Sequence, residues 1–319
     1  MNNIYIVCIP NKASGGPEAM NQLCRALRDT GYSAQMFFPP YDTKKYSSPI
    51  AEEYQHYENP YTINADDALD NYFIFPEIMI INKMPMLKYS KIIMWWLSVD
   101  NFIEQNRVFG KELLSEFINL YYDYHFVQSE YARRFCIDEM GIPEDKIFYI
   151  SDYLNDSYIS KAKDNTIKNK KNQVLYNPKK GIEFTRLLMN YAPDITWIPL
   201  IYMTYDEVRD TMQESKVYID FGNHPGMDRL PREAAINGCC VITDRRGAAA
   251  FSEDVPIPDK YKFDDNEDSV SAIVDAIRSI FQNYDSDKKD FDDYRMWISG
   301  AKDRFYSDTE KVFGTIIKC

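Results

Sequence analysis

Cysteine is sparse and unpatterned. The chain has six in 319 residues; only Cys239 and Cys240 are adjacent, and none stands in a CxxC pair or at metal-ligand spacing. That excludes a zinc ribbon or a disulfide framework and reads as reduced thiols of a cytosolic protein. Positive charge is short as well. Lys and Arg total 37 against 49 Asp and Glu, a net charge of −12, which argues against broad nucleic-acid binding and weakens attraction to an anionic membrane surface. No apolar run is long enough to span a bilayer: YFIFPEIMII and KIIMWWLSV suit buried strands instead. The first strand begins almost at Met1, so no signal peptide is expected. No GxGxxG follows that strand, which counts against a dinucleotide fold such as a sugar-nucleotide epimerase. No internal repeat is visible. No Asp-x-Asp stands at a convincing strand end; Asp264-Asp265 and Asp292-Asp293 sit in acidic surface stretches.

What is present is ordinary globular composition, 45% hydrophobic and 27% charged, with many aromatics at 15%, including 25 Tyr. Tyr suits ligands with apolar faces and polar edges, such as sugars, and also protein partners. The length suggests two domains. Strands are predicted at Ile4 to Pro10, Ser33 to Phe38, Asn71 to Phe75, Lys91 to Val99 and Tyr124 to Gln128, with helices between. KIFYISDYLND would close this first half. The lysine-rich 161–172 reads as a linker. Strand, turn and helix reopen at VLYNPKKGIEFTRLLMNYAP; ITWIPL, VYIDF and CCVIT continue the alternation. Ser269 to Tyr284 has the spacing of an amphipathic helix, and a last helical stretch runs from Phe291 to Phe313. Two doubly wound α/β halves are expected. His125, inside a strand, reads as a core histidine.

The most informative stretch runs from Val217 to Thr243. Val217 to Phe221 is a buried strand; Gly222 to Asp228 is a loop punctuated by Gly, Asn and Pro. Asp228 is placed to cap a helix, Pro231 falls in its first turn, and Gly238 stops it. The helix N-terminus then offers free N–H groups at the carboxyl edge of a parallel sheet, a seat for a diphosphate. Arg229 adds a cation there, and the Glu233 carboxylate can accept two hydrogen bonds from a diol such as a ribose. The plainer reading is an ordinary βαβ unit with a capped helix.

Leu230-Pro231, Glu233-Ala234-Ala235, Gly238 and Val241-Ile242 together resemble the donor-binding pattern of GT-B glycosyltransferases, in particular the family 4 (group 1) type. The resemblance implies two Rossmann-like domains facing each other across a cleft: 1–160 on the acceptor side, the 161–172 linker, 173–290 on the nucleotide-sugar side, and 291–319 crossing back. It implies transfer of a sugar from a nucleotide-sugar donor, UDP- or GDP-linked, to a glycan, lipid-linked or protein hydroxyl, with no cofactor and no metal. The protein would be cytoplasmic, with room for peripheral contact at the inner face of a membrane.

On the donor side the resemblance gives Glu233 the ribose, and Lys180, at the end of the Lys179-Lys180-Gly181 segment, the diphosphate together with Arg229. Gly226 and Asp228 belong to the donor loop. Met203 lies where the base rests. Gly15 and Gly16 correspond to the Gly-Gly loop after the first strand; a tight turn needing glycine is the other reading there. On the acceptor side stand Glu77, at the end of a strand, and Tyr41 and Tyr46, in the long loop from Pro39 to Asp67, which a partly disordered surface loop would explain equally. Asp100 lies near the His or Asp that follows the corresponding strand in many members, as general base or as a helix N-cap. His224, placed with Asp100 in the catalytic set, would donate to the donor phosphate or sugar, or order the Gly-Pro loop; it is near Pro225, which occupies the place of the first glutamate of the family pattern. Loss of that glutamate motivates the alternative, a non-catalytic GT-B-like binding or partner subunit.

Overall fold

The computed structural model describes residues 2–39, 48–79, 87–164 and 170–317. Its chain divides into two compact units, Met1–Asp152 with Asp303–Cys319, and Tyr153–Lys302.

The first unit holds a parallel sheet of strands β1 (Asn3–Val7), β2 (Ser33–Phe37), β3 (Tyr61–Thr62), β4 (Tyr72–Pro76), β5 (Lys91–Trp96), β6 (Tyr124–Val127) and β7 (Ile147–Tyr149), ordered β3-β2-β1-β4-β5-β6-β7. The central strands IYIV, YFIFP and KIIMWW are near-continuous apolar runs, as strands covered on both faces must be. Tyr5, Phe73, Met94, Trp96 and Val127 pack in one core cluster. His125 is fully buried there and accepts from Trp96 Nε1 at 3.2 Å; burial, then the charge of Lys146, pull its imidazole down to about 3, so it is a neutral core group. Helix α1 spans Gly15–Asp29 and so takes in both glycines of the expected Gly-Gly loop. Neither Gly15 nor Gly16 has a positive φ, so the tight-turn reading of the pair fails. Within the loop after β2, a 3₁₀ turn, Glu52–Tyr57, buries Tyr54 and Tyr57. Tyr54 Oη donates to Ser14 O at 2.8 Å and accepts from Ser14 N at 2.7 Å. Tyr54 therefore braces the start of α1, and Tyr57 Oη donates to Glu18 Oε1 in its first turn at 3.5 Å.

The chain enters the second unit at Tyr153, earlier than the 161–172 read as linker. Asp156–Asp164 is a helix, and Leu154 and Ile159 pack on the second core, which the surrounding lysines disguise in the sequence. The second sheet is also parallel: β8 (Lys171–Tyr176), β9 (Thr196–Pro199), β10 (Ser215–Asp220), β11 (Cys240–Asp244) and β12 (Lys262–Phe263), ordered β12-β11-β10-β8-β9. The amphipathic stretch forms a helix, Val270–Asp287, whose Ile273, Val274, Ile277 and Ile280 are fully buried against this sheet. The final helical stretch breaks at Gly300 into Asp292–Ser299 and Ala301–Ile316. The chain rejoins the first unit from Asp303 onward, later than the start of the 291–319 segment expected to cross back. There Phe313 lies 5.6 Å from Phe126 and 5.8 Å from Tyr32, and Tyr72 Oη donates to Ile316 O at 3.1 Å.

Candidate active site

Ligands of open parallel sheets bind outside the carboxyl ends of the strands, where the strand order reverses. In the second sheet the reversal lies between β8 and β10, since β9 goes to one side of β8 and β10, β11 and β12 to the other. The loops leaving β8 and β10 meet there backbone to backbone. Gly181 has φ +59, and a Cβ on it would fall 1.8 Å from Phe221 O. Gly222 has φ +117, and a Cβ on it would fall 2.8 Å from Gly181 N. Both positions need glycine for conformation and for room.

A buried charge network holds this junction. Lys180 Nζ lies 2.9 Å from Asp220 Oδ1, 2.7 Å from Asp228 Oδ2 and 3.3 Å from Asn223 O. His224 is 1% exposed. Its Nδ1 donates to Asp228 Oδ2 at 3.1 Å, and its Nε2 faces Asp244 Oδ1 at 3.3 Å and Asp220 O at 3.2 Å. Asp244 also accepts from Gly222 N at 2.5 Å. Two cations thus face three carboxylates, and each strand end at the junction supplies a member. Burial alone would lower the His224 pKa; the bonds to Asp228 and Asp244 and the charge of Asp220 outweigh it and hold it at about 9. Burial likewise works against charge on Lys180, and Asp220 and Asp228 overcome it. For Asp228 burial is again opposed, here by His224 and Lys180, and its carboxyl sits below the usual range.

This arrangement changes the expected roles. Asp228 stands at the N-cap of helix α8 by sequence position, the helix being Arg229–Ile236, but its side chain makes no capping bond; it is committed to Lys180 and His224. Lys180 is not an open cation, and His224 is not exposed to a donor sugar: both order the loop. Buried Arg232 adds to this, donating from Nε to Asp228 O at 3.1 Å and from Nη2 to Met227 O at 2.6 Å. Gly226 is buried in the same loop and accepts from Asp228 N at 2.9 Å. Arg229 Nη2 lies 3.3 Å from Glu233 Oε1, so cation and carboxylate are already paired along one helix face. Lys179 is exposed, its N–H turned onto Asn177 Oδ1 at 3.0 Å. Met203 packs partly on the core beside Tyr202, which has φ +57 and is 98% exposed. A fully exposed tyrosine in the left-handed region is uncommon and marks the loop after β9 as specialised. Asp220, His224 and Asp228 have ligand atoms close enough to hold an ion. The Lys180 ammonium already sits between the Asp220 and Asp228 carboxylates of that set.

Sequence reasoning did not pick out Asp220, Asp244, Gly222 or Arg232. A signal existed for two of them: VYID and VITD both end apolar strands on an aspartate at the carboxyl edge.

In the first unit the order reverses between β1 and β4, and a cavity of about 130 Å³ lies at that point. Gly16, Ser14 and Lys12 line it from the loop after β1 and the start of α1, Glu77 from the end of β4, and Ser98 and Asn101 from the end of β5. Gly15 is exposed beside it. Asp100 is not among the lining residues. It sits in the first turn of the helix Val99–Asn106, whose N-cap is Ser98, accepting from Asn101 N at 3.3 Å. The N-cap reading of Asp100 is thereby corrected: the helix begins at Val99, one residue before it. Its carboxylate accepts from Tyr131 Oη at 2.9 Å. Tyr41 and Tyr46 lie outside the described residues. Among the described residues no helix is long and apolar enough to cross a membrane.

No family model and no curated protein matches the chain in sequence. Solved structures do match in fold over nearly its whole length. A glycosyltransferase from Rickettsia africae aligns with a TM-score of 0.63 at 12% identity, covering 99% of each chain. The HepE protein of Anabaena in complex with UDP aligns with a TM-score of 0.62 at 11% identity, again covering 99% of each. Sucrose-phosphate synthase from Thermosynechococcus elongatus aligns with a TM-score of 0.63 at 11% identity, covering 99% of each. The fold is therefore GT-B, with two Rossmann-like units.

Proposed function

We propose that the chain is a glycosyltransferase that moves a sugar from a nucleotide-sugar donor to a hydroxyl acceptor. The observation that carries this reading is the junction of the β8 and β10 loops at the switch point of the second sheet, closed by Gly181 against Gly222 and followed by the N-terminus of α8. HepE of Anabaena has also been solved with UDP-glucose, at a TM-score of 0.62 and 12% identity, which supports a uridine nucleotide as the first donor to test. Departure of a nucleoside diphosphate builds negative charge on its leaving oxygens. The α8 N-terminus, Arg229 and Lys179 supply positive potential there without a metal. Lys180 acts one step back, through the network that fixes the loop. Glu233 takes the ribose and the Ile201–Met203 loop the base. The acceptor is a glycan, a lipid-linked saccharide or a protein hydroxyl; a lipid-linked one brings peripheral contact with the inner face of a membrane.

Calorimetric titration with UDP tests the donor site. UDP binds the wild type, and Glu233→Ala weakens binding by roughly tenfold or more, as loss of charge-assisted hydrogen bonds predicts. Lys179→Ala weakens UDP more than uridine. Chelator leaves all three affinities unchanged. Wild-type affinity in both variants removes the donor-site assignment. Slow hydrolysis of UDP-glucose without acceptor separates an enzyme from a non-catalytic subunit, the reading that Pro225 favours.

Asp100 is the carboxylate we assign as general base, half-buried at the carboxyl edge of β5 and steadied by Tyr131. Asp100→Asn is expected to melt like wild type, because Ser98 does the capping, and to turn over about two to four orders of magnitude more slowly. Undiminished turnover would leave Asp100 as a partner of Tyr131 alone.

A further inference from the structure

We propose that the cavity at the switch point of the first sheet is a subsite for a neutral hydroxyl group, a sugar hydroxyl, with Glu77 as the residue that reads it. Three observations converge. The Glu77 side chain lines the cavity and is 3% exposed. Among the described residues, no charged group acts on its carboxyl, and the one hydrogen bond from another residue is from Leu97 N to Oε2 at 3.1 Å. Apart from the exposed Lys12, the wall around it is apolar or neutral, with Ile9, Met20, Leu97, Ser98 and Asn101.

A buried carboxylate without a counter-ion is costly, so the group takes its neutral form. Burial pushes its pKa up to about 8, with the bonds from Leu97 and its own backbone pulling the other way. The other titratable groups facing the cavity do not reverse this. The Cys8 thiol, at the end of β1, is itself pushed up to about 12 by burial, and Lys12 stands at the exposed rim. With Oε2 accepting from Leu97 N, the neutral acid carries its proton on Oε1 and offers one O–H donor, with a lone pair left to accept. That pair matches a hydroxyl, which needs one of each. A ligand ammonium would instead ionise the acid inside an apolar wall. On the transferase reading, on which the word sugar rests, this hydroxyl belongs to the acceptor. The subsite then discriminates acceptors strongly, because an analogue lacking the hydroxyl leaves a buried donor unpaired.

The test is ligand-detected saturation-transfer NMR on the full chain, with methyl α-D-glucoside and methyl β-D-galactoside as probes and inorganic phosphate as the ionic control. At least one glycoside is expected to show transfer at pH 7 and to lose it as the pH passes about 8. Glu77→Gln keeps donor, acceptor and size, so it is expected to bind at both pH values. Glu77→Leu is expected to weaken binding at least about tenfold. The Gln variant and the pH profile decide the matter even where the Leu variant does not fold. The proposal is overturned by phosphate binding in place of the glycosides, by a pH-independent wild type, or by Glu77→Leu binding like wild type. It is overturned too by a protein that binds UDP but no glycoside, a result that leaves the donor site standing. Failure of UDP alone sinks the donor reading and leaves Glu77 as the reader of a free sugar hydroxyl.

Discussion

Gly181→Ala is expected to leave the second unit unfolded or insoluble. At φ +59 the added Cβ would meet Phe221 O at 1.8 Å and Phe221 C at 2.4 Å. Both are backbone atoms of the neighbouring loop, so no side chain can swing aside. The loop after β8 would have to part from the loop after β10, and with it the anchor of Lys180 on Asp220. The cost should exceed about 4 kcal/mol, the range reserved for named structural lesions. Gly110→Ala is the control: its φ is −68, and the space around it is open. It should lie within about 1 kcal/mol of wild type. Urea unfolding followed by circular dichroism compares the two. A Gly181→Ala protein as stable as the control would mean that the loops do not meet as described, and the candidate donor site would lose its floor.

How much of this was legible before the structure depends on the range of the force involved. The βαβ unit around α8 was readable because each signal acts within a few residues: apolar runs make strands, and Gly238 stops the helix. The overall resemblance to GT-B proteins rested on that same stretch, and the fold bears it out. Pairings across the sheet were not readable. Lys180 looked like a phosphate cation because its partners, Asp220 and Asp228, come from a different strand end. Asp228 looked like a cap because Asp is a good one, yet a buried ammonium and an imidazolium compete for its carboxylate more strongly than an exposed helix N–H. The Arg229–Glu233 pair was legible in principle, since the two stand at i and i+4. Tyr54 and Tyr57 looked like loop residues because their segment has no period. Only the three-dimensional return of the chain onto Ser14 and α1 shows them as core. Glu77 was legible as a strand-end carboxylate, but not as a neutral one; burial decides that, and burial is a property of the whole unit.

Lys180→Met is expected to destabilise the protein by about 3–5 kcal/mol, because it removes the ion-pair partner of the buried Asp220 and leaves His224 as the remaining cation nearby. Asp220 is 1% exposed and, apart from Lys180, has Tyr218 Oη at 3.0 Å as a neutral donor. The double variant Lys180→Met, Asp220→Asn should regain most of the loss, since it removes the stranded charge along with its partner. The same network sets a pH limit. The His224 pKa is held at about 9, above the ordinary value of 6.5. A group raised in the folded state contributes stability that is complete below its unfolded pKa and is lost as the pH climbs through the folded one. Stability should therefore decline between pH 6.5 and about 9, and His224→Gln should flatten that limb while lowering stability at pH 6. Glu77 has the same sign in the first unit: raised from 4.5 to about 8, it weakens the fold across that interval. Both profiles are best recorded in a Glu77→Gln background, which removes this contribution. A double variant no more stable than Lys180→Met alone would show that Lys180 and Asp220 are not coupled, and the network would have to be rebuilt around Asp228.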